Sequence, residues 1–217
     1  MASLSILIAD DHAVVRAGLR ALLESRDGWQ VCAEAIDGRD AVEKAIKHKP
    51  DIAVLDVGMP LLNGVGATRR IRKASPHTQV LILTAHESDE LVQQVVGAGA
   101  RGYILKDDAD RVLLDAVDAL RRKQPYFSLR VSPAVASGAL AANSADPTKS
   151  RRSRLTPRER EILQLLAEGK SNKEVAALLG ISVNTAEAHR ANIMVKLDLH
   201  SLAEIVLYAI RNRIITT

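Results

Sequence analysis

Five polar side chains in the first half of the chain stand at the ends of short apolar runs: Asp10 and Asp11 after 4–9, Asp56 closing 52–56, Thr84 after 79–83 and Lys106 after 102–105. Three carboxylates drawn together raise one another's pKa unless a cation neutralises them, so a hard, oxygen-seeking ion such as Mg²⁺ is their natural occupant. Asp56 follows Ile-Ala-Val-Leu and could act as a nucleophile toward phosphorus, giving an aspartyl phosphate. Lys106 would pair with the phosphoryl charge, Thr84 would donate a hydroxyl hydrogen bond, and Mg²⁺ would bridge oxygens of acid and phosphate. Taken singly, each residue has a plainer reading: Asp10 or Asp11 as the cap of a helix starting near His12, Thr84 as a loop residue, Lys106 as a solvated cation. Their joint placement at four strand ends favours the site.

Positioning them requires a parallel sheet covered by helices on both faces, because ligands of such sheets bind beyond the carboxyl ends of the strands. The chain supplies it. Apolar runs at 4–9, 31–36, 52–56, 79–83 and 102–105 alternate with helical periodicity at about 13–25, 39–48, 65–73, 88–98 and 109–122. Residues 125–153 then lose periodicity and carry Pro125, Pro133 and Pro147, which predicts a flexible linker, with 131–140 able to form a short helix. Beyond it, Thr156 with Glu159, Ser171 with Glu174 and Ser201 with Glu204 each repeat the capping-box spacing, and Pro157 takes the favoured first helical position. Gly169 and Gly180 supply stops and Ser182 a further cap, predicting four helices with a tight turn between the second and third.

The segments Ile-Ala-Asp-Asp-His, Val-Leu-Asp-Val-Gly-Met-Pro, Leu-Thr-Ala-His and Gly-Tyr-Ile-Leu-Lys-Asp resemble the receiver domain of two-component response regulators over nearly all of 4–123. The resemblance implies a flavodoxin-like α/β fold, a five-stranded parallel sheet of order 2-1-3-4-5, and phosphorylation of Asp56 by a sensor histidine kinase. It also implies a metal held by Asp11, Asp56 and the backbone carbonyl of Gly58, with Asp10 acting through bound water. A switch carries over onto Thr84 and Tyr103, the hydroxyl drawn to phosphate and the ring moving inward, although an aromatic in a strand also packs without any such role. Asp107 stands where many relatives have Pro, so a cis peptide is not expected there.

Residues 155–197, through Leu-Thr-Pro-Arg-Glu-Arg-Glu-Ile-Leu, Ser-Asn-Lys-Glu-Val-Ala and Leu-Gly-Ile-Ser-Val-Asn-Thr, resemble the LuxR-type helix-turn-helix and place the chain in the NarL/FixJ group. Ile162, Leu163, Leu166, Val175, Ala176, Leu179, Ile193 and Leu197 fall at helical spacings and predict a common core for this all-α domain. Residues 183–197 would enter the major groove of double-stranded DNA, with Asn184, Thr185, Glu187, Arg190 and Asn192 as polar candidates and Lys173, Arg190 and Lys196 as phosphate holders. His189 reads as a structural or phosphate-side hydrogen bonder rather than a metal ligand. Ala186 and Glu187 depart from the residues frequent in relatives, so the target sequence is not legible in this helix. The last helix, 201–213, bears Ile205, Val206, Tyr208, Ala209 and Ile210; the resemblance implies a homodimer through it, and packing against Leu165 is the alternative.

Composition agrees with this division into a receiver (1–124), a linker (125–153) and a DNA-binding domain (154–217). Residues 151–217 hold 11 Lys and Arg against 7 Asp and Glu, whereas the remainder balances at 19 and 19, so the excess of +4 lies where a polyanion would bind. Cys32 is the single cysteine, which excludes a disulfide framework within one chain. No apolar run approaches the roughly 18 residues of a membrane helix, and residues 1–5 lead into a strand without a leader pattern, so a cytoplasmic protein without membrane partners is expected. A phosphatase using an aspartate nucleophile would need an acidic partner near it, whereas Val57 and Gly58 follow Asp56; only slow self-dephosphorylation is expected, not a metabolic enzyme. The expected function is phosphorylation-switched, sequence-specific transcription regulation, with RNA polymerase a candidate partner. An adaptor that is regulated by the receiver without binding DNA is the alternative.

Overall fold

The computed structural model describes residues 3–85, 89–127, 155–212 and 214–215. The chain divides into two compact units. In the first, strands β1 (Leu4–Ala9), β2 (Trp29–Ala35), β3 (Ile52–Asp56), β4 (Gln79–Thr84), β5 (Gly102–Leu105) and β6 (Tyr126–Phe127) alternate with helices α1 (Ala13–Glu24), α2 (Gly38–His48), α3 (Gly64–Ala74), α4 (Asp89–Gly97) and α5 (Ala109–Arg121). The sheet is parallel throughout, in the order β2-β1-β3-β4-β5-β6.

Side chains alternate across each strand, and the sequence fills both faces with aliphatic residues, as a sheet covered on two sides requires. Ile6, Ile8, Ile52, Val54, Leu81, Leu83 and Ile104 join Leu19 and Leu23 of α1 and Leu113, Ala116, Val117 and Leu120 of α5 in one core. The intervening Leu7, Ala53, Leu55, Val80, Ile82 and Tyr103 are equally buried on the other face, which α2 and α3 cover. Asp37 caps α2 and Asn63 caps α3 with side-chain oxygens, so these helix entries are written locally.

The five expected strands are present, and a sixth adds to them. β6 falls at the start of the stretch read as linker. Lys123, with φ of 61°, turns the chain after α5, Pro125 prevents the helix from resuming, and the Tyr126 N–H donates to the Arg101 carbonyl at 3.0 Å. Two residues are too few for a periodic signal, yet Tyr126 packs against the α1/α5 core and Phe127 lies in register with Tyr103. The rest of the linker, including the 131–140 stretch read as able to form a short helix, lies outside the described residues. Among the described residues there is no cis peptide bond; a 3-10 turn over Lys106–Asp108 leads into α5.

In the second unit the described helices are α6 (Pro157–Ala167), α7 (Asn172–Leu179), α8 (Val183–Leu197) and α9 (Leu202–Arg211). Thr156/Glu159 and Ser171/Glu174 form full capping boxes. Ser201 accepts from the Glu204 N–H, but the Glu204 carboxylate turns to the His200 N–H at 2.6 Å, so the third box is half made. Gly180 ends α7 in the left-handed region at φ 63°. Ile162, Leu163, Leu166, Val175, Ala176 and Ile193 are buried together with Leu165, Ala186, Ile205 and Ala209, while Leu179 and Leu197 pack at the edge. Packing therefore claims one side of α9, and Leu202, Leu207 and Ile210 remain exposed on it.

Candidate functional site

The strand ends bring the acidic residues together as their positions imply. Asp10 has a side chain fully buried beyond β1, and Asp56 is nearly so at the end of β3. Lys106 crosses from β5 to lie between them, its Nζ 2.7 Å from Asp10 Oδ2 and 3.0 Å from Asp56 Oδ1. The second oxygen of Asp56 accepts from the Gly58 N–H at 3.1 Å. Thr84 is buried at the end of β4, and Tyr103 is fully enclosed in β5.

Asp11 is partly exposed, and its Oδ1 lies 2.9 Å from His12 Nδ1. The same ring nitrogen is 3.2 Å from Asp10 Oδ1, and the His12 N–H donates to that oxygen at 2.9 Å. Asp10 thus serves both the site and the entry to α1. Asp10, Asp11 and His12 form a group able to hold a cation. Reading the sequence missed His12, whose adjacency to the acidic pair was the available signal, and Arg16, whose Nη1 donates to the Asp10 carbonyl at 2.9 Å.

Burial pushes the Asp56 carboxyl above its ordinary range, and the charge of Asp10 adds to the effect; Lys106 and the Gly58 N–H oppose it without prevailing. Burial alone would lower Lys106, but the Asp10 and Asp56 carboxylates hold its pKa above the usual value. Lys106 rises because its ammonium is shared between two carboxylates, the nearer being Asp10, whereas Asp56 rises because burial outweighs its share of that charge. The outcome is a carboxylate more basic than an ordinary aspartate beside a firmly protonated lysine.

Asp56 is set by the close approach of the next helix. Gly64 opens α3, its N–H donates to the Val57 carbonyl at 3.0 Å, and a Cβ on it would lie 2.2 Å from the Asp56 carbonyl oxygen. Only glycine permits that contact.

In the second unit, α8 buries just Ala186 and Ile193 among its fifteen residues. The departure at Ala186 is therefore a core residue and not a surface contact. Asn184, Thr185, Glu187 and Asn192 are exposed, His189 and Arg190 half-buried, and Lys173 exposed on α7. Ser182 caps the helix by accepting from the Thr185 N–H. Lys196, expected as a phosphate holder, has an acidic neighbour within the domain: its Nζ is 2.6 Å from Glu159 Oε1 and 2.9 Å from Oε2. Burial would raise the Glu159 pKa, but hydrogen bonds from Lys196 and Thr156 outweigh it and hold the carboxyl below its usual range.

The chain matches the response regulator receiver domain over residues 6–118 and the luxR family of bacterial regulatory proteins over residues 153–209. It is 39% identical over 215 residues to the oxygen regulatory protein NreC of Staphylococcus haemolyticus, covering 98% of this chain and 99% of that one. Among solved structures, the RcsB response regulator of Salmonella typhimurium, described for its conformational dynamism in DNA interaction, is 26% identical with a TM-score of 0.66, covering 96% of this chain and 97% of its own. A LuxR-family two-component response regulator from Aurantimonas sp. SI85-9A1 is 32% identical with a TM-score of 0.57, covering 65% of this chain and 99% of its own.

Proposed function

The chain belongs to the response regulators that join a receiver to a LuxR-type DNA-binding domain and regulate transcription, and we propose that its switch is phosphorylation of Asp56 by a sensor histidine kinase. The observation that carries this reading is the convergence of Asp10, Asp56 and Lys106 at the carboxyl ends of three strands. One Asp56 oxygen forms the new bond to phosphorus as the phosphorus–nitrogen bond of the donor breaks, and the departing imidazole takes up a proton from solvent. Lys106 neutralises the charge gathering on the phosphoryl oxygens, and Thr84 donates its hydroxyl to one of them. As Thr84 is drawn to the phosphate, the Tyr103 ring moves inward into the space it leaves.

The residue types suit Mg²⁺: the carboxylates of Asp11 and Asp56 and the Gly58 carbonyl would offer hard oxygen ligands, with Asp10 acting through bound water; Asp11 stands beside Asp10 and His12, and Asp10 and Asp56 share one Lys106 ammonium, so the acidic group stays net negative. A bound Mg²⁺ would supply charge neutralisation for the acid and the incoming phosphate. Hydrolysis of the acyl phosphate would be slow, resetting the switch.

The output is DNA binding through α8, with Asn184, Thr185, Glu187, Arg190 and Asn192 toward base edges and Lys173 and His189 on the phosphate side; the exposure of Asn184, Thr185, Glu187, Asn192 and Lys173 supports this. We place the receiver at 1–124, the linker at 125–153 and the DNA-binding domain at 154–217; β6, at the start of the linker, adds an edge strand to the receiver's sheet. The active form is a homodimer, for which the exposed Leu202, Leu207 and Ile210 of α9 offer a surface, and it acts on RNA polymerase in the cytoplasm. Among the described residues no helix is long and apolar enough to cross a membrane.

The test is enrichment of duplexes from a random pool, with Mg²⁺ and with or without a small phosphodonor. Enrichment that strengthens with the donor, and loses that response in Asp56→Asn, supports the switch. A normal response in the variant would remove Asp56 from its role, and no retention even at low salt would favour an adaptor that does not bind DNA.

A further inference from the structure

Two consecutive residues in the first turn of α6 reach the two helices of the helix-turn-helix. Arg158 donates through Nη2 to the Leu179 carbonyl at 2.9 Å, one of the carbonyls left over at the end of α7. Glu159, buried, receives both contacts from Lys196 of α8 and also the Thr156 N–H at 2.8 Å and the Thr156 hydroxyl at 2.9 Å. The capping carboxylate of one helix is therefore the anchor of another. Lys196 lies twelve residues beyond Asn184, about 18 Å along the helix axis, so a small tilt at the anchored end becomes a large displacement at the residues that face bases.

We propose that Lys196 is a positioning residue: held by Glu159, it fixes the pose of α8 and thereby its discrimination between DNA sequences, and it does not neutralise a phosphate. This rests on α8 being the helix that enters the groove. A phosphate-contacting lysine has a different signature, since its loss weakens binding to every sequence alike and lowers the salt dependence.

The experiment uses the full chain and two duplexes, one enriched from a random pool by the wild-type protein and one of unselected mixed sequence. Lys196→Met keeps the length of the stem without the charge, and Glu159→Gln keeps a residue compatible with the capping box. Each variant is expected to reduce the affinity ratio between the duplexes about tenfold, with the double variant no worse than either single one. The slope of log affinity against log salt stays unchanged. If Lys196→Met instead weakens both duplexes equally and lowers the slope by about 0.9, the lysine meets a phosphate and the proposal is wrong. Additive losses in the double variant, or a lower melting temperature with ratio and slope intact, would also overturn it. A wild-type chain that enriches no duplex would overturn the DNA-interface reading as well, and so separates that failure from the others.

Discussion

Gly64→Ala tests whether the acidic site depends on the approach of α3 to β3. By helix propensity alone the change should stabilise, since alanine is favoured over glycine in a helix by roughly 0.5–1 kcal/mol. The structure reverses the sign. The new Cβ would stand 2.2 Å from the Asp56 carbonyl oxygen and 3.0 Å from both the Asp56 carbonyl carbon and the Val57 Cα, all backbone atoms in a packed strand end. Relieving the overlap requires α3 and the end of β3 to separate by about 1 Å, and overpacking of this kind typically costs ~1–3 kcal/mol. The net expectation is a loss of about 1–2 kcal/mol by urea unfolding. Because the carbonyl that moves belongs to Asp56, labelling by a small phosphodonor should slow by about 10²-fold, the scale of a 1 Å misplacement at a reacting group. Gly18→Ala is the control: Gly18 is exposed within α1, nothing lies within 4 Å of its Cβ position, and the change should add about 0.5–1 kcal/mol while leaving labelling alone. If Gly64→Ala stabilises like its control and labels at the wild-type rate, the close approach does not set Asp56.

Two further outcomes follow from the same site. Asp56 has a folded-state pKa raised above that of the unfolded chain, so the folded form binds the extra proton and stability falls as pH rises from the ordinary aspartate value of 3.8 through the raised value. Asp56→Asn should therefore be more stable than the wild type at neutral pH and lack that component of the pH profile; a less stable variant in denaturant titrations at pH 7 would contradict the sign. Tyr103 is fully buried, so Tyr103→Ala should cost about 3–5 kcal/mol, as removal of a buried ring does, whereas Tyr103→Phe should stay within about 1.5 kcal/mol of the wild type. Equal effects of the two changes on the denaturation midpoint would show that the ring is not packed as described.

The α/β architecture was legible because β1, β3, β4 and β5 are short apolar runs closed or followed by a polar residue, and those polar residues are the candidate site. Asp56, Thr84 and Lys106 could be placed without coordinates since strand ends define a position in space as well as in sequence. β6 was not legible. Its two residues carry no period, and what makes them a strand is the Arg101 carbonyl and the apolar surface of α1 and α5, both distant along the chain. Gly64 was equally silent, because glycine marks either a turn or a close contact, and its partner is the backbone of a residue eight positions earlier.

Glu159 shows the same limit from the other side. Its spacing from Thr156 announces a capping box, which is a local device, and that reading holds. A capping carboxylate has two oxygens, however, and the box with Thr156 employs only Oε2, leaving Oε1 to find a partner from elsewhere in the fold. Lys196 takes it, 37 residues away, and also shares Oε2. A lysine on a helix expected to meet DNA is read from sequence as a phosphate contact because charge is visible there and partnership is not. The general consequence is that the basic residues of α8 cannot be counted toward DNA affinity by sign alone; each must first be shown free of an acidic neighbour within its own domain.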